Sequence, residues 1–173
     1  MEEKFYLEKD RIPVFIGKEG IQKKEFEQKF NCSIEIDSKT GEVLVDGEDA
    51  LSNFILSNIV AAINYGHSPR SALDLEDEHN VLDVIDIKTQ VRDTHRLKSI
   101  LGRVIGKNGS TREAIEEITK CHVAVKDHFV SVIGSYENVQ LVHEALEMLI
   151  QGSSHKSFYS YLERNKVNHS SLL

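Results

Sequence analysis

Two short glycine segments carry the clearest chemistry in this 173-residue chain. Gly17-Lys18-Glu19-Gly20 and Gly106-Lys107-Asn108-Gly109 share one pattern, two glycines bracketing two residues with lysine after the first. Glycine lets a ligand approach the backbone closely and permits dihedrals that other residues avoid. A helix starting at the second glycine would aim its free N–H groups and partial positive charge at the same spot. That suits a phosphate, and the lysine improves the fit to a sugar-phosphate chain. A lone GxxG is weak evidence, because ordinary interhelical turns use the same residues. Two copies, each with its lysine, weigh more.

The segments belong to an internal repeat. A displacement of 89 residues carries Ile16 onto Ile105, Phe26 onto Ile115, Cys32 onto Cys121, Ile34 onto Val123 and Ile36 onto Val125. Past a hairpin two residues shorter in the second copy, Val43, Val45 and Gly47 fall on Val130, Val132 and Gly134. The exits also agree, with Gly66, Ser68 and Ser71 falling on Gly152, Ser154 and Ser157.

The elements that must position the loops follow from periodicity. Phe5 and Leu7 alternate with polar neighbours, and Val84 and Ile85 do so less cleanly, which predicts a first strand in each copy. Leu97, Ile100, Leu101, Val104 and Ile105 keep helical spacing up to the second glycine loop. Ser110-Thr111-Arg112-Glu113 has the form of a capping box, so a new helix is expected with Ser110 as its cap. Cys121, Val123 and Val125 alternate as a half-buried strand, and 129–134 reads as its partner. Val139, Val142, Leu146 and Leu149 mark a closing helix. The predicted order is strand, helix, GxxG, helix, strand, strand, helix. The first copy repeats it with a shorter first helix, Pro13 following a possible cap at Asp10, and a turn at Ser38-Lys39-Thr40-Gly41. Residues 1–72 and 81–173 are the expected domains, 73–80 an acidic connector, and 155–165 a terminal helix.

The formal net charge of −7 argues against a nucleic-acid partner only on average. Lys88, Arg92, Arg96, Lys98, Arg103, Lys107 and Arg112 surround the second loop with one acid, Asp93, among them. Arg96, Arg103 and Lys107 fall roughly on one helical stripe. The acids gather instead between Asp74 and Asp86. A strand beyond a basic glycine loop offers backbone groups to base edges, the way single-stranded nucleic acid is read. No apolar run is long enough for a membrane span, and no apolar signal region follows Met1. Two distant cysteines make no disulfide framework. A soluble, cytoplasmic protein is expected.

Rival chemistries fit less well. A P-loop needs four residues between its glycines and Ser or Thr after the lysine. Gly102 and Gly106 are separated by three, and Asn108 follows Lys107. Cys32 and Cys121 open equivalent strands and read as small buried residues rather than nucleophiles. The eight histidines form no metal motif, and 76–78 reads as a solubilising acidic run rather than a catalytic pair. Phe158, Tyr159 and Tyr161 suit terminal-helix packing better than base stacking. No catalytic residue, metal or cofactor is expected.

Gly102 to Gly109, Glu116-Glu117-Ile118-Thr119, Val132-Ile133-Gly134, 145–150 and Tyr161-Leu162-Glu163-Arg164 together resemble the second K-homology domain of the partner-of-Nob family. These are small-ribosomal-subunit assembly factors with archaeal rRNA-processing homologues, and the first copy resembles their N-terminal domain. The resemblance implies an α+β fold of two tandem type I K-homology (KH) domains, each a three-stranded antiparallel sheet with three helices. It implies binding of small-subunit ribosomal RNA near its 3′ end, beside the endonuclease that matures that end. Carried onto this chain, the RNA-gripping loop is Gly106, Lys107, Asn108 and Gly109. Arg103, Ser110 and Arg112 flank it, and Val123 and Val125 line the base groove or its floor. Gly17, Lys18, Glu19 and Gly20, with Lys23, are a secondary or vestigial site, because Glu19 puts an anion in the phosphate loop. The alternatives are a general single-stranded RNA regulator of mRNA or small RNA, a nucleotide-binding enzyme, and a protein scaffold with vestigial loops.

Overall fold

The computed structural model describes residues 1–168, so the last five residues of the expected second domain lie outside the description. The chain divides into two compact units, Met1–Glu76 and the part from Asp77 onward.

In the first unit, β1 (Glu2–Tyr6) is followed by α1 (Ile12–Ile16), the glycine loop, α2 (Ile21–Phe30), β2 (Cys32–Ile36), β3 (Glu42–Gly47) and α3 (Ala50–Asn64). The sheet is antiparallel with order β1-β3-β2, pairing Phe5 with Val43 and Ile34 with Val45. Alternation puts Ile34, Val43 and Val45 under the helices, where they meet the buried Phe15, Phe26, Leu56, Ile59 and Ile63. The Phe15 and Phe26 rings lie 4.9 Å apart and tie α1 to α2 behind the loop.

The second unit repeats the order. It runs β4 (Asn80–Asp86), α5 (Thr94–Ile105), the second loop, α6 (Ser110–Thr119), β5 (His122–Lys126), β6 (Phe129–Ser135) and α7 (Tyr136–Ile150). Its antiparallel sheet has order β4-β6-β5, so β5 is an edge strand. Ile100, Val104 and Ile115 pack with Val130, Val132, Val142 and Leu146 in one core. The Asp93 carboxylate caps α5 by accepting from the His95 N–H at 2.8 Å.

A further short helix closes each unit, α4 (Pro69–Ala72) and α8 (His155–Asn165). Here the matching exit residues acquire a physical role. Ser68 Oγ accepts from the Ser71 N–H, and Ser154 Oγ from the Ser157 N–H, each starting its helix. Phe158 and Leu162 bury themselves in the second core. Tyr161 donates to Glu144 at 2.7 Å, so the terminal aromatics are packing groups.

Three expectations are corrected. Ser110 does not cap α6: the N-cap is Gly109 at φ 76°, in the left-handed region, with no side-chain cap bond. The loop feeds the helix directly, and Ser110 is already its first residue. Asp10 does not cap α1 either, because it lies in a 3₁₀ turn at Lys9–Arg11 and the N-cap is Arg11. The acidic stretch is more than a connector, since 73–76 forms a 3₁₀ turn with Leu75 buried and Glu76 paired to Lys29 at 2.9 Å.

Candidate nucleic-acid interface

The two glycine loops adopt one backbone conformation. Gly17 and Gly106 have φ/ψ of 74°/175° and 75°/169°. Glu19 and Asn108 sit at 55°/25° and 55°/31°, and Gly20 and Gly109 at 74°/11° and 76°/13°. The left-handed region favours glycine and tolerates asparagine, so Asn108 suits its place better than Glu19. The two glycines in a loop serve different ends. A Cβ on Gly106 would collide with the Thr111 hydroxyl and approach the Thr111 nitrogen to 2.6 Å. A Cβ on Gly109 would meet nothing within 4 Å. The first glycine lets the chain turn tightly into α6. The second leaves open backbone on the outer surface, where a phosphate can approach.

Around this loop the structure brings together Lys107, Asn108, Ser110 and Arg112, all exposed, with Gly106 and Gly109 half-buried between them. Arg96 is exposed on α5, two turns before Arg103. The expected cationic stripe is nonetheless broken. The Arg103 guanidinium donates to the Leu149 carbonyl at 3.0 Å and to the Ser153 carbonyl, and His155 bonds the Arg103 carbonyl at 2.9 Å. Its donors serve the fold, holding the end of α7. The Val123 side chain is 3% exposed in the core beneath the sheet, so only its backbone can face the groove, while Val125 is half-buried at the core margin. Both valines share the helix-covered face, opposite the fully buried Val132 and Val130, and packing depth rather than alternation separates them.

The first loop is built alike but charged differently. Lys18 and Glu19 are exposed together in it. Lys23, one turn into α2, is held by Glu27 at 3.0 Å, and Glu27 also accepts from the Ile34 N–H at 2.8 Å. Burial alone would push the Glu27 carboxyl up, but the Ile34 N–H and Lys23 outweigh it and hold it below the usual carboxylate range. The 89-residue displacement carries Lys23 onto Arg112, Glu27 onto Glu116 and Ile34 onto Val123. In the second unit Glu116 accepts from the Val123 N–H at 2.9 Å, yet among the described residues Arg112 forms no ion pair. The local cation is spent in the first unit and available in the second.

The structure gives Glu116 a place that motif reading does not, and it aligns three α5 residues already named. Glu116 was read only as part of a motif, although its matching position with Glu27 was a usable signal. Lys98, Leu101 and Ile105 share one face of α5 at i, i+3 and i+7, leading to the loop. Ile105 keeps 37% of its surface exposed there.

Burial pushes the Cys121 thiol up and, more mildly placed, the Cys32 thiol too, which disfavours thiolates. Among the described residues no three His, Cys, Asp or Glu side chains converge as a metal site. Histidines pair instead with carboxylates, as His143 does with Asp83 at 2.6 Å and His128 with Asp86 at 2.7 Å. No helix among the described residues is long and apolar enough to cross a membrane.

Residues 81–167 match the eukaryotic-type KH domain (KH domain type I) described for the second domain of PNO1 proteins. The chain is 39% identical to a KH domain-containing protein of Methanocaldococcus jannaschii, over 92% of this chain and 72% of that one. It is similar in structure to Dim2p from Pyrococcus horikoshii OT3, with TM-score 0.85 and 39% identity over 95% of this chain and 99% of that one. A solved a/eIF2alpha-aDim2p-rRNA complex from the same organism matches with TM-score 0.85 and 39% identity, over 95% of this chain and 93% of that one. Eukaryotic relatives carry the names RNA-binding protein pno1 and, in Emericella nidulans, pre-rRNA-processing protein pno1. The chain spans only 31% to 45% of the length of these eukaryotic relatives. With a type I KH domain over its second unit and an archaeal relative matched along most of both chains, the protein belongs to the PNO1/Dim2 family of KH-domain rRNA-processing proteins.

Proposed function

We propose that this protein is a non-enzymatic RNA-binding assembly factor that grips small-subunit ribosomal RNA near its 3′ end. The observation that carries the reading is the Gly106–Gly109 loop, whose open backbone at Gly109 lies beside exposed Lys107 and exposed Arg112, which forms no ion pair among the described residues. The loop, Lys107 and Arg112 hold the sugar-phosphate chain, and the groove between α6 and the edge of β5 takes the bases. The rRNA in the solved complex of the Pyrococcus relative supports the ligand class. Both units are read as KH domains, the first over 1–72 and the second over 81–173. The first adds little affinity, because Glu19 and Glu27 offset Lys18 and Lys23. By resemblance, its partner is the endonuclease that matures the rRNA 3′ end, and its compartment the cytoplasm.

The test is binding of short single-stranded RNA matching that 3′ end across a salt series. Wild type is compared with Lys107→Asp/Asn108→Asp and with Lys18→Asp. Loss of affinity in the double variant alone, with folding intact, is the expected result. The salt slope should fall by about 0.7 for each phosphate contact removed. Equal binding of all three, or equal binding of duplex, would overturn the reading.

A further inference from the structure

The groove edge of β5 carries an unusual hydrogen-bonding pattern. An unpaired strand edge presents N–H donors and C=O acceptors in alternation. On β5 the Val123 N–H points away from β6 and is consumed by Glu116 Oε1 at 2.9 Å. In an antiparallel strand the Val123 carbonyl faces the same way as its N–H. The edge there has exchanged its donor for a carboxylate and presents acceptors only. Glu116 is half-buried, and among the described residues its second oxygen makes no hydrogen bond. Arg112 lies one turn earlier on the same side of α6, toward the phosphate loop. From the loop inward, the wall of the groove therefore passes from a cation to an anion.

A carboxylate accepts and cannot donate. Adenine, cytosine and guanine each present an exocyclic amine, whereas uracil presents two keto oxygens around one N–H. We infer that Glu116, together with the Val123 carbonyl, selects a base bearing an exocyclic amine beside β5 and rejects uracil there. The inference rests on the reading that single-stranded RNA occupies this groove, with its phosphates on the Gly106–Gly109 loop. The first unit places the same carboxylate on Ile34, but there Lys23 pairs with the Glu27 oxygen that takes the Ile34 N–H, so the charge at that edge is neutralised.

The experiment is selection from a pool of random RNA octamers by the full chain, with sequencing of the retained RNA. Wild type should deplete uracil about tenfold at one position of the retained set, the discrimination expected of one well-placed base contact. Glu116→Gln keeps an oxygen for the Val123 N–H and adds an amide N–H₂ able to donate to uracil O4. It should therefore abolish or reverse the depletion without unfolding the unit, as monitored by exchange protection of the Val123 amide. No uracil depletion by wild type, or an unchanged depletion in Glu116→Gln, overturns the inference while RNA binding itself stands. Failure to retain any RNA overturns the binding reading and this inference together.

Discussion

Arg11 and Arg103 hold equivalent carbonyls from positions one helical turn apart. Arg11 donates to the Ile63 carbonyl at 2.6 Å and the His67 carbonyl at 2.9 Å. Arg103 donates to the carbonyls of Leu149 and Ser153, which match Ile63 and His67 when Gly66 is set on Gly152. By the repeat displacement, however, Arg11 falls on Ile100 rather than on Arg103. The Ile63 and Leu149 carbonyls also take the Gly66 and Gly152 N–H groups. A guanidinium with forked donors adds a second bond there while reaching the carbonyl just past the helix, from either turn. Each unit thereby ties its first helix to the end of its long closing helix, behind the glycine loop.

Arg103→Ala should cost the second unit about 2 kcal/mol, the worth of charge-assisted bonds to the Leu149 and Ser153 carbonyls. Arg103→Lys should rescue little, because one ammonium lacks the fork that reaches both. Urea denaturation followed at second-unit amides checks this. RNA affinity of the folded fraction should stay within about twofold, as its donors already serve the fold.

Substitution at the loop glycines should separate folding from binding. Gly109→Ala should cost only the left-handed penalty of about 1 kcal/mol, since its Cβ meets open space. Gly106→Ala should cost clearly more, because the added Cβ meets Thr111 backbone as well. Thermal denaturation ranks the two. In RNA titrations, folded Gly109→Asp should bind at least tenfold more weakly, having placed an anion at the exposed turn.

The first loop can be converted toward the second. Glu19→Asn gives it the Gly-Lys-Asn-Gly of 106–109, removes an anion, and places a residue that tolerates φ 55° better. Combined with Glu27→Gln, which loosens Lys23, it should add RNA affinity of a few fold in a Lys107→Asp background. The salt slope should steepen by about 0.7 per new phosphate contact. Affinity unchanged from the Lys107→Asp parent would show that charge is not what silences the first loop.

Glu27 gives the first unit a pH dependence of definite sign. Its carboxyl is held below its ordinary value of 4.5, so its stabilising contribution is complete above that pH. The contribution is lost as pH falls through the lowered value, when protonation breaks the bonds to Lys23 and the Ile34 N–H. Exchange protection at Ile34 should decline over that acid range in wild type. In Glu27→Gln the decline should flatten, because a neutral amide has no proton to gain.

The chain's own residues determined a good deal. The 89-residue repeat, the order of elements, the helix over 155–165 and the two lysine-bearing loops are all local or periodic features, and periodicity is written directly in a chain. Family-specific residues around Gly102–Gly109 likewise marked the chain as resembling its relatives. Tertiary structure decided which charges remain for a ligand. Arg103 and Arg112 look alike as cations near a glycine loop, yet one is bonded to carbonyls nearly fifty residues away and the other forms no ion pair among the described residues. Val123 and Val125 share one strand face, and only packing distinguishes the core residue from the marginal one. Ser110 has the spacing of a cap, but the left-handed turn at Gly109 makes it the first helical residue instead. Glu116 gains meaning only when α6 sets it against the edge of β5. Sequence spacing records which groups can meet along one element; which of them satisfy each other across elements depends on how helices and sheet close over a shared core.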